Sequence, residues 1–304
     1  MDTLTNNGNY DIFIVKYDNN GNVLWAKNAG GTGFDYGRSI ATDANGDVCV
    51  NGFFNSDTIK LGSTILTNAG YQDILTLKYS STGNILWAKS AGGDDDDLGR
   101  SIAIDDNGNI YVSGDFESSY ITVSSYILTN SGYTGFKDIY IIKYDSNGNF
   151  LWAKNMGGQF HDVGLCLAID ASGNVYSTGY FESASITLGS TTLNNAGGYD
   201  VFTAKYNSNG NVLWAKNAGG TNDVEGYGIA TDVSGNVYVT GSFYYSSLTF
   251  GPSTVINEGY YDIFILKYDL NGNEKWANSA GGTCNEKGYG IAVNEQGNVY
   301  VTGL

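Results

Sequence analysis

Five tryptophans cut this chain into near-equal lengths. Trp25, Trp87, Trp152, Trp214 and Trp276 stand 62, 65, 62 and 62 residues apart. The same words surround each: residues 10–31 read YDIFIVKYDNNGNVLWAKNAGG and residues 199–220 read YDVFTAKYNSNGNVLWAKNAGG. A unit this short repeated in tandem cannot bury its apolar face alone, so it must stack on its neighbours.

Each unit holds four strand signals. DIFIVKY and NVLWAK are rich in β-branched and aromatic residues, SIATD is short and small, and NVYVTG alternates apolar with polar. D-x-N-G-N segments such as 18–22 and 105–109 separate them. Asp folds back on the backbone there and Gly takes the left-handed conformation, which makes hairpin turns. No window carries a helical period. Four antiparallel strands per repeat make one blade of a β-propeller. Small residues suit a crowded centre, so the order from the centre outward is SIATD, NVYVTG, DIFIVKY, NVLWAK.

The expected fold is thus all-β: a five-bladed β-propeller with four antiparallel strands per blade, as a single domain over 1–304. The repeats run approximately 10–70, 71–135, 136–198, 199–259 and 260–304. The chain opens with two outer strands and closes with two inner ones, GIAVNEQGNVYVTG at 290–303. The two ends are expected to pair in one blade, which removes the exposed edges of an open array.

Two motifs carry a resemblance. GYGIATDVSGNVYVTG at 226–241 and DIFIVKYDNNGNVLW at 11–25 are similar to the bacterial β-propeller repeat proteins called SBBP repeats. That resemblance covers almost the whole chain. It implies a secreted or surface-associated protein, and its name implies seven blades where the count here is five.

Composition excludes several functions. Lys and Arg number 15 against 31 Asp and Glu, a net charge of −16. So acidic a surface repels phosphate backbones and anionic lipid, which argues against nucleic acid and favours cations such as calcium. No stretch reaches the roughly 18 apolar residues of a membrane helix. The start, MDTLTNNGNYD, lacks the basic and apolar parts of a signal peptide, so an extracellular location requires a leader outside this sequence. Cys49, Cys166 and Cys284 fit neither a zinc site nor a disulfide framework and read as isolated small hydrophobes.

Other residues read as architecture. The one histidine, His161, lies in a variable loop without a triad around it. The D-x-N-G-N turns lack the sixth-position glycine and twelfth-position glutamate of an EF-hand. Lys16, Lys78, Lys143, Lys205 and Lys267, with Asp11, Asp73, Asp138, Asp200 and Asp262, recur at fixed positions and read as ion pairs. The tryptophans and Phe54, Phe116, Phe181 and Phe243 read as core between blades.

Two segments vary, and both belong to one face of the disc: the stretch from NVLWAK to SIATD, and the 15–20 residues from NVYVTG to DIFIVKY. Variable loops on a rigid frame are where function usually resides. This face carries Asp35, the run Asp94, Asp95, Asp96 and Asp97, then Asp162, Asp223, Glu225 and Glu286. Asp94–Asp97 are the metal candidates, with Asp35, Asp162 and Asp223 joining if the loops converge; calcium suits such oxygen ligands. Tyr36, Tyr120, Tyr133, Tyr180, Tyr244 and Tyr245 crowd the same loops as candidates for binding a glycan or a protein.

Near-identical repeats favour a non-enzymatic recognition or scaffold module, secreted or on the cell surface, with carbohydrate as a multivalent ligand. A glycoside hydrolase with carboxylates in a central funnel is the alternative. Against it, Asp43, Asp105, Asp170 and Asp232 recur at one equivalent position and look like turn residues. A structural subunit of a surface assembly is a third reading. The oligomeric state is open.

Overall fold

The computed structural model describes residues 3–244 and 247–304, in which all regular structure is strand. A hairpin of β1 (Ile12–Tyr17) and β2 (Val23–Ala29) comes first. Then follow β3 (Asp35–Thr42), β4 (Val48–Phe54), a small hairpin of β5 (Thr58–Leu61) and β6 (Thr64–Thr67), β7 (Asp73–Tyr79) and β8 (Ile85–Ala91). The second set is β9 (Asp97–Ile104), β10 (Ile110–Phe116), β11 (Tyr120–Val123), β12 (Tyr126–Thr129), β13 (Asp138–Tyr144) and β14 (Phe150–Met156). The third is β15 (Asp162–Ile169), β16 (Val175–Phe181), β17 (Ser185–Leu188), β18 (Thr191–Asn194), β19 (Asp200–Tyr206) and β20 (Val212–Ala218). The fourth is β21 (Val224–Thr231), β22 (Val237–Tyr244), β23 (Ser247–Phe250), β24 (Ser253–Ile256), β25 (Tyr261–Tyr268) and β26 (Glu274–Ala280). A last hairpin pairs β27 (Gly288–Val293) with β28 (Val299–Gly303).

Four sheets have four strands, in the orders β3-β4-β7-β8, β9-β10-β13-β14, β15-β16-β19-β20 and β21-β22-β25-β26. This is the strand order expected from the repeat. The chain divides into two compact units, Met1–Asn130 with Ile141–Ala153, and Ser131–Tyr140 with Lys154–Leu304. In the first, β3 lies beside β9; in the second, β15 lies beside β21 and β21 beside β27. The small-residue strands are thus where successive blades crowd together.

Local chemistry explains the strands' ends. Asp145 Oδ1 accepts the N–H groups of Asn147 at 2.9 Å and Asn149 at 2.8 Å, and Gly148 sits at φ +79°. A left-handed residue with a carboxylate cap is what this turn demands. The final Gly of NVYVTG has a different reason. A Cβ added at Gly179 would stand 1.9 Å from the Val163 carbonyl oxygen, beside the bulge between Gly164 and Cys166.

Phe54, Phe116, Phe181 and Phe243 are fully buried. The tryptophans are not all core, which corrects the sequence expectation. Trp25 is buried, but Trp87, Trp152, Trp214 and Trp276 are half-buried. Trp87 Nε1 donates to the Ser146 carbonyl at 3.2 Å, and Trp214 Nε1 to that of Leu270 at 3.3 Å, each in the outer turn of the following blade. Their rings lie against Gly148 and Gly272 of those turns. The indole is a latch from blade to blade.

The repeated ion pairs are also different from those expected. Lys78 pairs with Asp43 at 2.9 Å, and Lys205 lies 3.6 Å from Asp170. Lys143, Lys205 and Lys267 sit over the rings of Tyr111, Tyr176 and Tyr238 at 4.7, 5.0 and 4.7 Å. Asp73, Asp138, Asp200 and Asp262 are buried instead, each with an Oδ1 that has no hydrogen-bond partner. That oxygen rests on a glycine: a Cβ at Gly157 would stand 2.0 Å from Asp138 Oδ1, and one at Gly219 1.7 Å from Asp200 Oδ1.

The long variable stretch is a hairpin rather than a loop. TIKL and TILT pair as β5 and β6, and three more repeats do the same. Ile59, Leu61 and Leu66 are buried, and β6 packs against β8 of its own blade.

The two end hairpins, β1–β2 and β27–β28, are separate two-stranded sheets. Each lies within its own compact unit. Their exposure has a pattern. Phe13 is 73 % exposed where its repeat equivalents Leu75, Phe202 and Phe264 are 0 %, and Tyr300 is 60 % exposed where Tyr111 and Tyr176 are 0 %. A cleft of about 800 Å³ opens between β1 and β3, lined by Tyr10, Phe13, Ile14, Tyr36 and Ile40. No helix among the described residues is long and apolar enough to cross a membrane.

Candidate functional site

Both variable connections leave a blade at the same end. Asp35 pairs with Phe54 and Phe54 with Asp73, while the D-x-x-G-N turns lie at the other end. The candidate residues divide sharply there.

Asp35, Asp97 and Asp162 are buried staples, not metal ligands. Asp97 Oδ2 accepts the N–H of Gly93 at 2.8 Å and the hydroxyl of Ser118 at 2.8 Å. Asp35 does the same with Gly31 and Ser56, and Asp162 with Gly158 and Ser183. Burial pushes the Asp97 carboxyl up to about 8 and that of Asp162 up to about 7, with Asp73 and Asp138 as neighbouring charges. The fourth repeat has Val224 at this position.

Of the acidic run, Asp94 is exposed and Asp95 and Asp96 turn toward Glu117, all three offering oxygens within 4.8 Å of one another. Asp96 Oδ1 is shielded from solvent without a hydrogen-bond partner. These donors suit a hard divalent cation such as calcium. Sequence reasoning missed Glu117 because it follows β10, on the far side of the sheet ladder from the run. The only signal was its place next to the repeated Phe116. Asp223 accepts the N–H of Tyr199 at 3.1 Å, and Glu286 that of Gly282 at 3.2 Å. The carboxylates of the different repeats therefore serve their own loops.

The tyrosines are more revealing. Tyr36 packs on Phe53 with centroids 5.0 Å apart, Tyr180 on Tyr199 at 4.8 Å, and Tyr244 on Tyr261 at 4.8 Å. Tyr120 is half-exposed on β11, apart from these pairs, and Tyr133 packs against Phe136 and Phe160. Tyr245 lies outside the described residues.

Tyr199 and Tyr261 occupy one repeat position, the residue before the buried Asp. Each is met by the second residue of the next blade's first strand or its equivalent: Glu225 and Lys287. Lys287 Nζ lies 4.4 Å from the Tyr261 centroid, 3.6 Å from Glu225 and 3.0 Å from the Tyr227 hydroxyl, to which it donates. That hydroxyl donates in turn to Glu225. Tyr227 also packs on Tyr289 at 5.2 Å. Burial raises the Glu225 carboxyl, with Asp223 adding to it, against the pull of Lys287. In the first unit the matching pairs are Tyr10 with Tyr36, 5.8 Å between centroids, and Gln72 with Leu98. The third is Lys137 with Val163. No two junctions are alike.

The symmetric carboxylates of a hydrolase reading are turn caps. Asp105 Oδ1 accepts the N–H groups of Asn107 and Asn109, and its Oδ2 takes the Tyr111 hydroxyl at 3.0 Å. Asp170 and Asp232 repeat this arrangement.

Comparison with known proteins agrees with the strand ladder. The beta-propeller repeat family, SBBP, matches residues 86–115 and 213–242. An uncharacterized WD repeat-containing protein of Acanthamoeba polyphaga mimivirus is 28 % identical over 85 % of this chain and 23 % of its own length. The regulatory protein FlaEY of Caulobacter vibrioides is 30 % identical over 47 % of this chain and 15 % of its own. The chain thus spans less than a quarter of these relatives. Among solved structures, a protein of unknown function from Bacteroides caccae matches 89 % of this chain and 94 % of its own, with TM-score 0.38 and 10 % identity. The Neurospora crassa Pan2 WD40 domain matches 88 % and 89 %, with TM-score 0.33 and 12 % identity. The two matched passages lie on β8–β10 and β20–β22, at equivalent places in two repeats, and are consistent with a bacterial β-propeller repeat protein.

Proposed function

We propose that this chain is a secreted or surface-displayed recognition and scaffold module that binds multivalent carbohydrate at the loop end of its blades. The observation that carries this is that three blades each place a ring pair there, Tyr36 on the buried Phe53, Tyr180 on Tyr199 and Tyr244 on Tyr261, on a repeated frame. Aromatic faces take the apolar face of a sugar, flanking carboxylates take its hydroxyls, and several weak sites on one body gain by avidity. Calcium held by Asp95, Asp96 and Glu117 orders the neighbouring loop.

The frame belongs to the same proposal. We propose five blades, the fifth built from the two kinds of half-blade at β1–β2 and β27–β28. Support comes from Phe13, Tyr17 and Tyr300, whose repeat equivalents are buried.

A glycan array with and without calcium tests the ligand. Binding that strengthens with glycan density and with calcium is expected. No binding under either condition would overturn the carbohydrate reading, and released hydrolysis products would put the glycoside hydrolase in its place.

A further inference from the structure

The blade junctions differ in the charge they bring to an equivalent ring. At Tyr261 the next blade supplies the Lys287 ammonium, 4.4 Å from the ring centroid. In the first unit Arg38 lies over Tyr36 and Phe53 at 5.5 and 5.2 Å. Two ring pairs thus hold a cation of the chain's own. At Tyr199 the position of Lys287 is filled by Glu225, a carboxylate. Asp223 accepts the Tyr199 N–H at 3.1 Å, and Glu182 follows Phe181, the last residue of β16. All five residues are half-buried, and they belong to one compact unit. Glu182, Asp223 and Glu225 all act electrostatically on Tyr199.

We propose that the Tyr180–Tyr199 ring pair, flanked by Glu182 and Asp223, docks a lysine or arginine side chain of a partner protein. Ring faces attract cations, and the flanking carboxylates supply the counter-charge. Glu225 is engaged by Lys287 and Tyr227, while Glu182 and Asp223 accept backbone N–H groups of His161 and Tyr199 and keep acceptor capacity for a cation, so these two carry the recognition. A net charge of −16 steers basic surfaces toward the chain from a distance. The occupant is a protein rather than a free amine, because one ring pair and one ion pair give little affinity without the surface around them. This rests on the recognition reading and names a second partner chemistry for it.

The test is calorimetric titration of the whole chain with three probes. These are a blocked pentapeptide with one central lysine, the same peptide with acetyl-lysine, and n-butylamine. The lysine peptide should bind at least roughly tenfold more tightly than its acetylated twin, the acetyl group removing the charge but not the stem. The double change Asp223→Asn with Glu182→Gln should weaken it by roughly tenfold, and Tyr199→Leu likewise, while Tyr199→Phe keeps the ring and the binding. Circular dichroism melts confirm that each variant is folded. Equal binding of the two peptides, or undiminished binding by the folded double variant, would overturn the proposal. Butylamine binding as tightly as the lysine peptide would overturn the protein source. A blank glycan array defeats the carbohydrate reading alone and leaves this comparison standing.

Discussion

A buried carboxylate resting on a glycine recurs four times, at Asp73, Asp138, Asp200 and Asp262, and it makes the Asp of D-x-F and the first Gly of AGG one device. Asp138 Oδ1 has no hydrogen-bond partner and lies over Gly157. Gly157→Ala would force a methyl to within 2.0 Å of that oxygen. It should cost about 1–3 kcal/mol, as overpacking does, read from the urea midpoint. An unchanged midpoint would mean that the carboxylate moves aside freely. The acids also set a pH dependence. Burial raises Asp73 to about 6, Asp162 to about 7 and Asp97 to about 8. The unfolded values lie at about 3.9, so between about pH 4 and pH 8 the folded chain holds protons that the unfolded chain has released. Stability is therefore lost as pH rises, with a slope of about 1.4 kcal/mol per pH unit for each group still protonated. The urea midpoint should be lower at pH 8 than at pH 5, and Asp97→Asn should flatten the difference. A higher midpoint at pH 8 would contradict it. Sequence could not show these roles, because recurrence marks a residue as structural without saying what it touches.

The strands were legible where local chemistry is strong. Asp, Asn and Gly at fixed spacing dictate the turns, and the small residues of SIATD dictate the crowded first strand. The hairpin of β5 and β6 was hidden because four-residue strands such as TIKL give too few alternations to separate from a loop. Its packing is nonetheless built in: Leu193 of β18 is buried, and β18 packs on β20. Leu193→Ala should cost about 2–5 kcal/mol. A loss below about 1 kcal/mol would make the hairpin an ornament on the blade. The tryptophans were misread for a related reason: a repeated large ring reads as core, yet the outer strand leaves it half-covered. Trp214→Phe removes the 3.3 Å bond to the Leu270 carbonyl and should cost about 1 kcal/mol. No loss in thermal scans would show that the latch is idle. The residues that set one junction apart from the next were the least legible. Glu225 and Lys287 stand among positions that otherwise repeat, and reading the repeat averages out the residues that differ.

At the scale of the whole molecule, the proposed fifth blade sets a register that can be tested. Phe13, Tyr17 and Ile40 at one end and Tyr300 at the other are exposed, although the same positions are buried in intact blades. The ladders of those blades fix the register in which the halves should meet. Val50 pairs with Leu77 and Val239 with Leu266. By equivalence Val301 should pair with Val15. Cysteines placed by Val15→Cys and Val301→Cys, in a chain with Cys166→Ser and Cys284→Ser, test this under mild oxidation. The predicted result is an intramolecular disulfide in a monomer, with none formed by the shifted pair Val15→Cys and Thr302→Cys. Only intermolecular disulfides, or no disulfide in either pair, would contradict closure.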